Sequence, residues 1–161
     1  MTVPNMVAPI GANANLTHTE AQFSVGDRAQ GKDGSIWIYV QANGAIAAGD
    51  VVLLDEDWQA DGIDLTNSAS AFGQSCGVAA AAFADNEYGF VQVYGVCDAI
   101  TCGSSCAANA TVNSTATAGQ PDDDATAGSE DIDGLILTTA ETSGNTAPGL
   151  LNYPTVGATN S

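Results

Sequence analysis

The chain has 161 residues, enough for one domain with a core of its own. It carries 19 acidic residues against two basic ones, Arg28 and Lys32, for a net charge of −17. A surface of that sign repels phosphate backbones and anionic membranes; it argues against direct nucleic-acid or membrane binding and suits a protein kept soluble in a salty medium.

Val, Ile, Leu and Phe make up only about a fifth of the chain, which is low for a charged globular protein. Ordered β-structure with extended, loosely packed ends is therefore expected, with oligomerisation as a source of further stability. No apolar run approaches the roughly 20 residues of a membrane-spanning helix. The opening MTVPNMVAPIGANANLTHTE has no basic segment and no compact apolar segment, so it does not read as a secretory signal. Synthesis and use in a cytosol, or release by lysis, is the expectation.

Residues 1–22 carry Pro4, Pro9 and Gly11 among scattered apolar residues without a period. Such a segment cannot bury enough surface to order itself. It reads as a frayed terminus or as an extended arm that orders on a neighbour. A β-domain is expected over residues 23–155, and a short tail over 156–161. Phe23 to Gly31 and Ile36 to Val40 flank the turn signal Asp33-Gly34 and should form a hairpin. Ile36, Ile38 and Val40 share one face of the second strand, and Trp37 and Tyr39 the other. Turns are expected at Asn43-Gly44 and at Ala48-Gly49-Asp50, followed by a buried strand over Val51 to Leu54. Asp55 to Gly62 reads as an acidic loop around Trp58, and Ile63 to Leu65 as a brief strand.

The most convincing strand runs from Tyr88 to Cys97, rich in aromatic and β-branched residues on both faces, and so is placed centrally. Asp85-Asn86-Glu87 turns the chain into it from the apolar segment that begins at Gly73. Asp98 to Ala118 allows only weak strands, Asp122-Asp123-Asp124 opens an acidic loop, and Ile132 to Thr138 is the last convincing strand. The remainder is turn-rich, with an apolar cluster at Leu150, Leu151 and Tyr153. Roughly five or six short strands separated by Gly and Asp turns give an all-β fold, a small barrel or sandwich.

No constellation for catalysis stands out. A nucleophile triad needs a base, and His18, the one histidine, lies in the arm. Carboxylate pairs are plentiful but sit in turns, with no aromatic-rich cleft beside them. No enzymatic activity and no cofactor are expected. Asp55, Glu56, Asp57, Asp61 and Asp64, and separately Asp122 to Asp124, offer oxygens for Ca²⁺ without the spacing of an EF-hand; solvated loops are the simpler reading. Cys76, Cys97, Cys102 and Cys106 match no standard zinc spacing and read as small core residues in a reducing compartment, with a disulfide inside Cys97–Cys106 as the alternative.

Several stretches together carry a family resemblance: Phe23 to Val40, the segment Gly44-Ala-Ile-Ala-Ala-Gly-Asp-Val-Val52, Phe72-Gly-Gln-Ser-Cys-Gly-Val78, Tyr88 to Gly95, and Ile132-Asp-Gly-Leu-Ile-Leu-Thr138. Over about residues 20–155 this pattern of strands and turns resembles the capsid decoration, or cement, proteins of tailed bacteriophages, particularly marine phages. The resemblance implies a small β-barrel-type virion protein on the outer surface of an expanded capsid. It would form a homotrimer and bridge neighbouring copies of the major capsid protein. It also implies an N-terminal arm reaching along the shell, which makes Val3, Pro4, Met6, Val7, Pro9, Ile10 and Leu16 contact candidates. The two cations, Arg28 and Lys32, are candidates for meeting acidic capsid residues. A receptor- or glycan-binding fibre domain, Ca²⁺-dependent and using Trp58, is the competing expectation.

Overall fold

A computed structural model of the chain describes residues 11–103, 105–141 and 146–161. The elements are β1 (Arg28–Gln30), β2 (Ile36–Ala42), β3 (Val51–Leu54), β4 (Gln59–Gly62), a one-turn helix α1 (Leu65–Ser68), β5 (Cys76–Ala79), β6 (Tyr88–Thr101), β7 (Val112–Asn113), β8 (Glu130–Leu137) and β9 (Thr146–Thr159). The fold is all-β, as the sequence leads one to expect. Its strands form one nine-stranded mixed sheet in the order β1-β2-β4-β3-β5-β6-β9-β8-β7, and β2 also pairs with β6. That extra pairing closes a ring through β2, β4, β3, β5 and β6, while β9, β8 and β7 continue outward from β6. The sheet is therefore not a clean barrel.

Two expected hairpins are present. β1 and β2 pair antiparallel across Asp33-Gly34, with Ala29 opposite Trp37. β5 and β6 pair antiparallel across the Asp85–Glu87 turn, with Val78 opposite Gln92. The turn is stapled by its own carboxylates: Ala84 N–H donates to Glu87 Oε2 at 2.8 Å, and Gly44 N–H to Asp85 Oδ1 at 3.0 Å. Asn86 takes φ 66°, the left-handed conformation that asparagine tolerates better than most residues.

β3 is buried on both faces, so its alternation divides the interior. Val51 and Leu53 enter a core shared with Ile100, Ile132, Leu135, Leu137 and Leu151. Val52 and Leu54 enter a second core with Ile38, Val40, Phe83, Val91 and Val93. On the other face of β2, Tyr39 is the centre of an aromatic group, with ring centroids 5.0 Å from Phe90 and 5.2 Å from Phe23. Successive side chains of a strand leave on opposite faces, and so a single apolar run serves two packings.

Three expectations are corrected. Ile63 to Leu65 is not a strand: Asp64 caps α1, its carboxylate accepting from Thr66 and Asn67 N–H at 2.7 and 2.8 Å. The second half of the acidic loop is strand β4, paired with β3 and parallel to β2. The turn-rich C-terminal stretch is β9, a 14-residue strand that passes residue 155 and reaches Thr159. Far from being loosely packed, that end is tied down by Asn160, whose Nδ2 donates to Asn113 Oδ1 and Asp131 Oδ1, both at 3.0 Å.

Candidate functional site

The first place where chemistry could be presented is the base of the arm. His18 pairs its backbone with Tyr88, N–H to carbonyl in both directions at 2.8 Å, which fastens the chain to β6 at this point. Further back, Gly11, Ala12 and Ala14 border the same hollow as Ala29, Gln30 and Gly31 of the β1–β2 hairpin. Arg28 lies on β1 and Lys32 in the hairpin turn, both exposed. Leu16 is 52% exposed. Val3, Pro4, Met6, Val7, Pro9 and Ile10 lie outside the described residues. The base of the arm thus meets the hairpin that carries the two cations, at Ala29 to Gly31 between them.

The second place is an exposed apolar row on the sheet. Val96 of β6 stands opposite Leu150 of β9, which stands opposite Ile136 of β8. Directly opposed residues of antiparallel strands lie on the same face, and so the three form a row across three strands. Tyr94 continues it along β6 and stacks on Tyr153, with ring centroids 5.2 Å apart. Tyr94, Val96, Leu150 and Tyr153 are 40%, 61%, 41% and 44% exposed. The sequence pattern places this strand centrally with both faces apolar; both are buried from Gly89 to Val93. Tyr94 and Val96 are exposed on one face while Cys97 on the other stays buried, Tyr94 being the last residue of β6 to pair with β2. A contiguous apolar row is the kind of surface that marks an interaction site, whereas single exposed apolar residues do not.

A cleft of about 410 Å³ lies beside the row, bordered by Asn15, Asp33, Trp37, Gln92, Val96 and Asp98. Trp37 Nε1 donates to Ser35 Oγ at 2.8 Å, and Ser35 Oγ donates to Asp33 Oδ1 at 2.7 Å. Those hydrogen bonds from Ser35 hold the Asp33 carboxyl below its ordinary value.

Two of the carboxylates in the Asp55–Asp64 set, Asp55 and Asp64, are committed to nearby backbone. Asp55 Oδ1 accepts from Asp57 and Gln59 N–H at 3.0 and 2.8 Å, and Asp64 caps α1. Asp61 is pushed up mainly by burial, then by the nearby Asp64 charge. Trp58, with φ 61°, lies over Gly26, where an added Cβ would sit 2.6 Å from the indole nitrogen. Its ring packs partly buried on the second core.

The third place joins residues that are distant in the sequence. No disulfide joins the four cysteines; all are buried thiols. Cys102 and Cys106 hydrogen-bond to each other, and Asp122 lies beside them. Cys106 Sγ is 3.9 Å from Asp122 Oδ1, and the ligand atoms of Cys106, Asp122 and Asp123 all lie within 4.8 Å of one another. Burial, reinforced by the neighbouring Cys106, Glu141 and Asp122, pushes the Cys102 thiol up to about 12. Cys-x-x-x-Cys was the one local signal; nothing in the sequence tied it to Asp122, which a bridge to Asn113 carries into place.

Asp50 supplies a pH dependence. It is buried, and its Oδ2 accepts from Ala47 N–H at 2.8 Å. Burial raises its proton affinity above that of an ordinary carboxyl. The folded form therefore holds this proton more tightly than the unfolded form. Its contribution to stability is full below the ordinary carboxyl pKa and is lost as pH rises through the folded value. Asp50→Asn keeps an acceptor for Ala47 and is expected to raise the Tm at pH 7. The gain should shrink as the pH falls through the acid range; thermal melts of both proteins across pH 3–7 check this, and a gain independent of pH would contradict it.

No known protein-family model matches the chain, and no curated protein matches it in sequence.

Proposed function

We propose that this chain is a virion structural protein. It binds the outer surface of an expanded phage capsid as a homotrimer, bridges neighbouring copies of the major capsid protein and stabilises the head. The observation that carries the reading is the apolar row of Tyr94, Val96, Leu150 and Tyr153, held on the rigid sheet of a chain whose net charge is −17. Like-charged copies stay dispersed in salt water, and an uncharged row is where such a chain can adhere without bringing carboxylates together. The resemblance of its strands and turns to capsid decoration proteins supplies the partner. Residues 1–22 act as the arm that reaches along the shell, starting from the hairpin that carries Arg28 and Lys32. Several modest contacts per subunit, repeated over a trimer, give durable attachment, and bridging subunit joints slows rupture of a pressurised head. The glycan-binding alternative would rely on Trp58, whose indole is partly buried against Gly26 and the second core.

Truncation of the arm tests this reading. Removing residues 1–10 leaves the His18–Tyr88 pairing intact. Affinity for heads lacking the protein is expected to fall about tenfold or more, equivalent to about 1.4 kcal/mol of lost contact. The Tm should hold. Unchanged affinity would remove the arm from the account.

A further inference from the structure

We propose that Cys102, Cys106, Asp122 and Asp123 form a binding site for a divalent d-block cation, with zinc the ion their donor atoms suit best. Two carboxylates in a turn would be an ordinary solvated loop. What sets this corner apart is the Cys106 thiol, 0% exposed, beside those carboxylates and hydrogen-bonded to the equally buried thiol of Cys102. Besides these, Cys106 Sγ lies within hydrogen-bond reach of the carbonyl oxygens of Gly103 and Pro121 at 3.4 and 3.8 Å. Thiolate sulfur with carboxylate oxygen selects zinc and related ions and disfavours calcium, which takes oxygen alone.

The spacing is close to what bonding requires. Tetrahedral zinc with bonds of about 2.3 Å to sulfur and about 2.0 Å to oxygen places the two donors about 3.5 Å apart. Cys106 Sγ and Asp122 Oδ1 are 3.9 Å apart, so a contraction of a few tenths of an ångström completes the bond pair. Parts of the scaffold are already fixed. Asp123 Oδ2 accepts from Ala107 N–H at 2.9 Å, Asp122 Oδ1 from Asp124 N–H at 3.2 Å, and Glu141 N–H donates to the Cys106 carbonyl at 2.8 Å. Ser105 adopts φ 72° between the two cysteines, a turn that brings the second back toward the first.

Charge points the same way. Glu141 is buried beside Cys102, and Asp122 and Asp123 complete a negative corner. The sequence has only Arg28 and Lys32 as basic residues, and both belong to the β1–β2 hairpin at the other end of the strand order. A cation from solution is the available counter-charge. On binding, each thiol gives its proton to solvent as a metal–sulfur bond forms. Two protons leave for one dication, and the metal with two thiolates and two carboxylates carries a net charge of minus two. Affinity must therefore fall on acidification.

The test uses the full chain with its thiols kept reduced, titrated with Co²⁺ as a spectroscopic probe and then with Zn²⁺. One equivalent of cobalt should bring up a thiolate-to-cobalt charge-transfer band, zinc should displace it, and zinc should raise the Tm. Cys106→Ser and Asp122→Asn should each abolish or weaken the band at least about tenfold, whereas Asp57→Asn, in the exposed turn before β4, should leave it intact. Asp122→Asn keeps the test decisive if the cysteine variant does not fold. Three results would overturn the proposal: no band with reduced thiols, a band that survives Cys106→Ser, or a cobalt site that Asp57→Asn removes instead.

Discussion

Placing glutamate at both Val96 and Leu150 is expected to lower binding to undecorated heads about a hundredfold or more. The two residues face each other across β6 and β9, and both point to solvent. Glutamate there adds two charges to the centre of the apolar row, and burying an unpaired carboxylate against a capsid surface costs several kcal/mol, of which about 2.7 kcal/mol suffices for a hundredfold loss. Exposed substitutions of this kind change fold stability little, and the circular dichroism spectrum should be unchanged. Equilibrium binding to heads, read by sedimentation, checks the prediction. A variant that binds within about twofold of the parent would show that the row does not meet the capsid.

Gly149→Ala is expected to be strongly destabilising. Gly149 is buried in β9 between Cys97 of β6 and Leu137 of β8. An added Cβ would sit 2.5 Å from the Ile136 carbonyl oxygen and would collide with the Ile100 side chain. Neither neighbour has room to yield, since the carbonyl belongs to the β8–β9 ladder and Ile100 is 0% exposed in the first core. Overpacking of this kind costs roughly 1–3 kcal/mol, and the clash with backbone places it at the upper end, about 3 kcal/mol. For a chain of this size that corresponds to a fall in Tm of about 6–12 °C. Urea titration at constant m-value measures it. A loss below about 1 kcal/mol would show that the ladder between β8 and β9 can part without consequence.

The strands that could be read from the sequence are those whose apolar residues alternate between clean turns. Ile36 to Val40 and Tyr88 to Cys97 have that form, and the structure places both in the ring. β9 was invisible for a physical reason. Its sequence, TAPGLLNYPTVGAT, holds two prolines and two glycines, which weaken a strand. Each proline sits where the ladder is already interrupted. Pro148 lies opposite the register shift between Cys97 and Ile100, and Pro154 lies beside the shift between Asp133 and Leu135, where Tyr153 takes φ 49°. A missing N–H costs little at a bulge. The breakers therefore mark irregularities within a strand, and only its partners β6 and β8 reveal that the strand exists. Ile63 to Leu65 misled in the opposite direction, because Asp64 in its middle caps the helical turn that follows, its carboxylate accepting from Thr66 and Asn67 N–H.

The candidate sites were legible to different degrees. The arm and the two cations come directly from composition, and the structure adds that the base of the arm and the cationic hairpin share a hollow. The apolar row depends on β9 and so could not be anticipated from Tyr94 and Val96, which read as core. The thiol–carboxylate corner depends on contacts between residues 102–106 and 122–123, a separation at which spacing patterns carry no information. Long-range strand pairing, not local propensity, decides both.

The most direct measurement is co-sedimentation of the purified, folded protein with empty, expanded phage heads that lack it. The account predicts saturable binding at a fixed ratio of copies to capsid subunits, in threefold groups, abolished by the Val96 and Leu150 substitutions. Folded protein that stays in the supernatant at every concentration, or that binds without saturating, would contradict it.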